Sequence, residues 1–269
     1  MKPRYFLLAV LSLLLCACNR KSAPRDLVVY FSLTGTTEQL AQIFAEQTGG
    51  ELLQIACETP YPDSFEAVIA ESGPEVKEGT CRPISNSPVD LDAYRTVYLG
   101  YPVWFGTVPP PVRTFLSNND FGGKNVVLFC TYGSGGVKSS TRAVVKLLPE
   151  TRILGSFGIA ARRMAYAPQE VADFLGGLEN GGSDDAEGYC EPRPVADSDM
   201  AVFRKATEGY DYLNLVPLMV SVREEPGKCS RIFVCESSMR GGEPRKVELL
   251  VLQKGEEDPY LQSVEHIQE

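Results

Sequence analysis

The sequence predicts an α/β protein in two parts: a parallel sheet covered by helices on both faces, then a small α+β domain. Three observations carry this. Between residues 26 and 178 short apolar strands alternate five times with helical periodicity, the pattern of a sheet buried on both sides. An acidic, Gly-rich stretch within residues 179–196 then interrupts the alternation, as a linker does. Beyond it, over residues 197–269, one helical segment precedes four strand-like segments separated by polar turns, which suits a helix on an antiparallel sheet.

The first strand is predicted at residues 26–31, where Leu27 to Phe31 form a continuous apolar run. A polar turn leads to a helix over 38–47, with Leu40, Ile43 and Phe44 on one face and Gly49-Gly50 as its stop. A second strand is expected at 51–55, and a helix at 63–71 with Phe65, Val68 and Ile69 inward. The third strand (96–100) opens into a Pro-rich loop and a short helix near 112–116. The fourth (125–129) opens into a Gly-rich loop and a helix through 141–148. Residues 153–160 and 169–178 complete this unit as its last strand and helix. In the C-terminal part a helix is expected over 198–208, carrying Met200, Phe203 and Ala206. Strands are expected there at 215–222, 232–236, 246–252 and 261–267. A unit of roughly 70–75 residues is large enough to fold alone.

Composition narrows the chemistry. Asp and Glu outnumber Lys and Arg, 35 to 26, and no basic run occurs, which argues against nucleic acid as a partner. Such acidity most commonly serves plain solubility, and it also suits a basic partner. The single histidine, His266, nearly excludes His-based triads and multi-histidine metal sites. No catalytic side chain or metal-ligand set stands out, so chemistry is expected from a cofactor.

Lys2 and Arg4 precede an apolar run from Tyr5 to Leu15, short for a membrane span but suited to an export signal. The run ends in Leu15-Cys16-Ala17-Cys18, which resembles a bacterial lipobox with the small Ala17 before Cys18. Residues 1–17 are therefore expected to be a lipoprotein signal peptide, Cys18 the lipidated residue and 18–25 a polar tether. The expected location is outside the cytoplasm, on a membrane of the bacterial cell envelope. Export permits disulfides. Cys57 and Cys81 bracket one excursion and either pair or remain free thiols. Cys229 and Cys235 would lie about 20 Å apart on one extended strand and cannot bridge there.

Three loops fall at the carboxyl ends of strands, where ligands bind in sheets of this kind. In the first, Ser32-Leu33-Thr34-Gly35-Thr36-Thr37 places hydroxyls and N–H groups at a helix start, which makes an anion site. It lacks the lysine of a triphosphate-binding loop, so it suits a single phosphate monoester. Ordinary N-capping by Thr36 or Thr37 is the plain alternative. In the second, Pro102, Val103, Trp104, Phe105 and Gly106 carry the one tryptophan into a loop stiffened by Pro109-Pro110-Pro111. In the third, Thr131, Tyr132, Gly133, Ser134, Gly135 and Gly136 join hydroxyls to a backbone free to approach a ligand closely.

Ser-x-Thr-Gly-x-Thr after an apolar first strand resembles the flavodoxin phosphate loop. The segment from Tyr101 to Pro109 resembles the Tyr-Pro-x-Trp-x-Gly-x-x-Pro stretch of bacterial flavodoxin-like proteins, and residues 131–136 resemble their third flavin loop. The resemblance covers residues 26–178. It implies a doubly wound five-stranded sheet of order 2-1-3-4-5 that binds FMN non-covalently and mediates electron transfer. It further implies phosphate contacts from Ser32, Thr34, Gly35, Thr36 and Thr37. Ring contacts are implied from Trp104 with Pro102, Val103, Phe105 and Gly106, and pyrimidine-edge contacts from Thr131, Tyr132, Gly133 and Gly135. Stacked aromatics and acidic surroundings would disfavour the anionic reduced flavin and lower its last potential. The redox partner is left open as a protein or a small-molecule acceptor. Two alternatives stand beside electron transfer: an FMN-dependent NAD(P)H:quinone-type reductase, and a flavin-less binding module.

Arg162-Arg163, after the fifth strand, reads either as a solvated pair or as a contact to an acidic ligand or partner. The C-terminal part resembles small cystatin-like domains through residues 201–209 and 229–235. Where protease-inhibiting cystatins carry Gln-x-Val-x-Gly, this chain has Ser221-Val222-Arg223-Glu224-Glu225. A docking or stabilising role is therefore expected there.

Overall fold

The computed structural model describes residues 25–133, 135–179, 189–238 and 243–267. The signal, Cys18 and most of the tether lie outside the described residues, as do Ser134 and residues 180–188 of the linker. Among the described residues no helix is long and apolar enough to cross a membrane.

Five strands, β1 (Arg25–Tyr30), β2 (Glu51–Gln54), β3 (Tyr94–Pro102), β4 (Asn125–Tyr132) and β5 (Arg152–Ala160), form one parallel sheet. Its order is β2-β1-β3-β4-β5, so the chain reverses direction across the sheet at β1, between β2 and β3. Side chains alternate between two cores, as the strand period requires. Leu27, Val29, Leu99 and Leu128 face α2 (Phe65–Glu78), α3 (Pro110–Asn118) and α4 (Val137–Leu147) through Val68, Phe115 and Val144. Val28, Tyr98, Val127 and Phe129 face α1 (Thr36–Thr48) and α5 (Ala167–Glu179) through Leu40, Phe44 and Val171. Phe44 is fully buried and stacks on Phe129 with ring centroids 4.4 Å apart. Removing either ring would cost about 3–5 kcal/mol.

Most helices and strands exceed their predicted spans, and α2 shows why. Ser64 caps it, accepting from the Ala67 N–H at 3.2 Å. The helix then passes through Pro74 to Glu78, beyond the expected end at Glu71. Pro74 removes one backbone donor. Arg82 holds the turn on either side of it, at 2.6 Å from Glu71 and 2.9 Å from Glu75. That tertiary clamp lies outside any local propensity.

The C-terminal domain contains β6 (Arg193–Pro194), α6 (Asp197–Ala206), β7 (Leu215–Glu225), β8 (Lys228–Ser237), β9 (Arg245–Lys254) and β10 (Tyr260–His266). The strands are antiparallel in the order β10-β9-β8-β7-β6. The short β6, inside the stretch read as linker, adds a fifth strand to the four expected. Phe203 and Ala206 of α6 pack on Val220, Phe233, Leu249 and Val251. Buried Asp199 ties the helix start to β6, accepting from Arg193 at 2.5 Å and from the Ala196 N–H at 3.0 Å. The hydrogen bond from Arg193 holds the Asp199 carboxyl below its ordinary range. All six cysteines in the described residues are free thiols, Cys57 and Cys81 included.

This domain is docked on the first. Gln262 of β10 donates to the Gly158 carbonyl of β5 at 2.9 Å. Arg162 stacks on Tyr210 at 3.5 Å and donates to the Glu208 carbonyl at 2.7 Å. Arg163 lies 3.3 Å over the Tyr260 ring and pairs with buried Glu170 at 2.5 Å. The pair is thus turned to the other domain: Arg162 stays exposed while it braces Tyr210, and Arg163 is half-buried. The pair fastens the two domains together.

Candidate functional site

The site lies where β1, β3 and β4 end. Parallel pairing aligns these three ends, and hydrogen bonds hold the loops that leave them. The Phe31 N–H donates to the Gly100 carbonyl at 3.0 Å, and the Val103 N–H to the Thr131 carbonyl at 2.8 Å. Thr37 and Thr131 bring their hydroxyls to 2.8 Å, linking the start of α1 to the end of β4. Phe31 meets Trp104 edge-on at 5.7 Å. Ser32, Trp104 and Tyr132 therefore belong to one end of one sheet.

The first loop is open. Leu33 and Thr34 are exposed, and Ser32, Gly35 and Thr36 are partly exposed. Helix α1 starts after Gly35 with no side-chain cap, so its first N–H groups keep their partial positive charge. The Thr36 and Thr37 hydroxyls therefore do not serve as caps. Ser32 Oγ accepts from the Gly35 N–H at 3.1 Å, and the Thr34 and Thr36 hydroxyls lie 3.5 Å apart. Two hydroxyls and an uncapped helix start, without lysine or arginine in the loop, fit a phosphate monoester. Thr37 differs: it is buried and its hydroxyl is spent on Thr131, so both side chains act inside the scaffold.

The second loop is a hairpin turn. Trp104 and Thr107 exchange two backbone hydrogen bonds, at 3.0 and 2.9 Å. Phe105 and Gly106 between them have φ of 50° and 74°. Positive φ at both central positions defines a type I′ turn, which glycine accepts freely and phenylalanine does not. Phe105 is nonetheless 56% exposed. Trp104 is half-buried, meeting Tyr61 edge-on at 5.1 Å as well as Phe31. Trp104 is thus committed to the protein, and Phe105 supplies the outward ring. Pro102 ends β3 opposite Thr131, and Val103 packs on the core between them.

In the third loop Gly133 is exposed and Gly135 partly so. Tyr132 departs from the expected arrangement. Its side chain is buried, and its hydroxyl has no hydrogen-bond partner. The phenol is held above its usual range, first by burial, with Cys130, Tyr210 and Glu170 adding to it. Its side chain thus turns toward the domain junction, leaving backbone groups to face a ligand.

A cavity of about 450 Å³ adjoins the first loop, within the range of small-molecule sites. Its walls include Phe31, Ser32, Thr34, Cys57, Tyr61 and Phe65. Sequence reasoning passed over the loop after β2 that supplies Cys57 and Tyr61. The available signal was Pro60-Tyr61-Pro62, a second aromatic, Pro-stiffened loop at the same sheet end. Tyr61 donates to Glu75 at 2.6 Å beneath Arg82, whose guanidinium lies 3.7 Å from the ring centre. Burial pushes the Cys57 thiol upward, so it is no activated nucleophile. Among the described residues no group of His, Cys, Asp and Glu could hold a metal ion.

A family model described as Flavodoxin matches residues 25–157. A crystal structure of a candidate flavoprotein from Bacteroides uniformis superposes with a TM-score of 0.52 at 24% identity. It covers 56% of this chain and 99% of its own. One from Bacteroides eggerthii gives 0.47 at 26% identity, covering 56% of this chain and 99% of that one.

Proposed function

Because residues 25–157 form a flavodoxin-like domain, we propose that this chain binds FMN non-covalently and mediates electron transfer. The observation that carries the reading is the meeting of three loops at one sheet end, one of them an uncapped helix start flanked by hydroxyls. The backbone N–H groups of the first loop, with Ser32, Thr34 and Thr36, would hold the phosphate. Phe105 and Trp104 would meet the ring, and the backbone of Gly133 and Gly135 its polar edge. Electron exchange is the chemistry that FMN supplies when bound, and the protein sets affinity, orientation and potential. An aromatic wall of buried Phe31 and Tyr61 with half-buried Trp104 would exclude water from one side of that site.

The export signal and the lipidation of Cys18 belong to the same proposal. They rest on Lys2, Arg4, the apolar run and the Ala17-Cys18 pair. Replacing Cys18 by Ser should release the protein from the membrane fraction, and retention there would overturn the anchor.

The decisive test is an absorbance spectrum of the purified chain before and after incubation with FMN. Retention of a flavin spectrum through desalting is expected; a colourless protein after incubation leaves only a binding module of the same fold. A second reading, reduction of a small acceptor with NAD(P)H, draws on the apolar-walled cavity beside the first loop. Prompt bleaching of the FMN-loaded protein by NADH or NADPH would favour it.

A further inference from the structure

The third loop is not self-supporting. Helix α4 begins after Gly136 with no side-chain cap of its own. Its orphan donors are met from the C-terminal domain: Glu265 of β10, 5% exposed, accepts from the Lys138 N–H at 2.8 Å and the Ser139 N–H at 3.3 Å. The neighbouring Val264 carbonyl accepts from the Gly136 N–H at 3.1 Å. The fit is close enough to require glycine, because a Cβ at Gly135 would lie 2.2 Å from the Val264 oxygen. On its other side the loop meets the second loop, where a Cβ at Gly136 would lie 2.8 Å from Val103. Residues 135–136 are therefore clamped between the hairpin turn and the last strand of the other domain.

We propose that Glu265 is a positioning residue for the cofactor site, and that the C-terminal domain is a strut that completes the third loop. The proposal rests on the FMN reading and deepens it. A side-chain cap supplied by the N-cap residue itself is the usual solution at a helix start. Here the cap comes from a separate domain, so the loop's shape depends on that domain being seated. The carboxylate does two things at once. It fixes the amides of Lys138 and Ser139, and it places negative charge at the positive end of α4, beside the loop assigned to the flavin's polar edge. That charge opposes the negative charge gained on flavin reduction.

The test uses the full chain and three variants. Glu265→Ala removes both cap and charge. Glu265→Gln keeps an acceptor and removes the charge. Gln262→Ala removes a different contact of the same strand to the first domain. Glu265→Ala should weaken FMN binding about tenfold, the size of a lost cap. In the flavin-free chain it should speed hydrogen exchange at the amides of 136–140. Glu265→Gln should bind FMN within about threefold of wild type and shift the bound flavin's potential positively. Gln262→Ala should leave affinity and potential unchanged. Equal effects from Gln262→Ala and Glu265→Ala would reduce Glu265 to a docking contact and overturn its positioning role. Unchanged exchange and affinity in Glu265→Ala would overturn it as well. In both cases FMN uptake by the wild type keeps the cofactor reading intact; a wild type that takes up no FMN overturns both.

Discussion

The first loop of the site draws every group it offers from six consecutive residues, Ser32 to Thr37. The third loop is held by a carboxylate 127 positions further along the chain. Both sit at the same end of one sheet, and both begin a helix whose N-cap is a glycine without a side-chain cap. The first helix start is left open, which suits an anion arriving from solution. The second is closed by Glu265, an anion built into the protein. Two equivalent helix starts thus differ: one is open, the seat proposed for a phosphate, and the other is a structural joint. The decision between them is made by the C-terminal domain.

The contrast breaks first at the joint. Arg163 ties the domains through its stack on Tyr260, and it is held there by Glu170 of its own domain, which is 8% exposed. Arg163→Ala leaves Glu170 buried without its partner, which costs about 3–5 kcal/mol. A large drop in the urea midpoint of the full chain is expected, with faster hydrogen exchange at residues 136–140. If exchange there stays slow, the third loop stands without its strut and the two helix starts are alike after all.

Next comes the open seat. Thr34→Ala and Thr36→Ala should each weaken FMN binding by about 1.5–3 kcal/mol, the worth of a hydrogen bond to a charged phosphate. Their unfolding midpoints should hardly move, because both side chains are at least partly exposed. Fluorescence titration of FMN reads the first quantity and urea unfolding the second. Unchanged affinity in both variants would remove the phosphate from this loop.

The fold and the place of the first loop at the sheet end were legible in the sequence; the joint that holds the third loop was not. The alternation of Leu27–Phe31 with Leu40 and Phe44 is a local signal, so strand and helix placement followed from it, whereas the strand order followed from the resemblance of the three loops. The hydroxyls of the first loop are likewise contiguous. The burial of the Tyr132 side chain was not legible because Tyr210 reaches it, beside Arg163 and Glu170, only when the C-terminal domain docks. Arg163 reads as surface in the sequence for the same reason, while Arg162 is indeed exposed. Tyr61 and Cys57 were missed because β2 is short and largely exposed, which gave its following loop little weight. Glu265 carries no local signal of any kind.

Phe105 gives a smaller and two-signed effect. Its left-handed backbone costs roughly 1–2 kcal/mol in a residue with a side chain. Phe105→Gly should therefore raise thermal stability, by about 1 kcal/mol after the added entropy of glycine in the unfolded chain. The same change removes the exposed ring and should weaken FMN binding. Strain kept at an exposed aromatic is the mark of a functional position. A variant that loses stability while binding FMN as well as wild type would show that the ring serves the fold, through its contact near Gly73.

The smallest effect is expected at the outer edge of the joint, where Lys254 of β9 meets Asp173 of α5 at 3.0 Å. The hydrogen bond from Lys254 lowers the Asp173 carboxyl below its ordinary range. A depressed carboxyl contributes stability above its unfolded pKa and loses it as pH falls through the folded one. The contribution is therefore present at neutral pH and fades below about pH 4. Asp173 is 51% exposed, so solvent and salt screen the pair and its worth is at most about 1 kcal/mol. Urea midpoints of Lys254→Ala and wild type should differ slightly at pH 7 and converge in acid or in high salt. A larger, salt-insensitive loss would mean that the joint is held by its rim as firmly as by Arg163. The seating of Glu265 would then depend on the whole domain face, and the strut would be a surface with no single decisive contact.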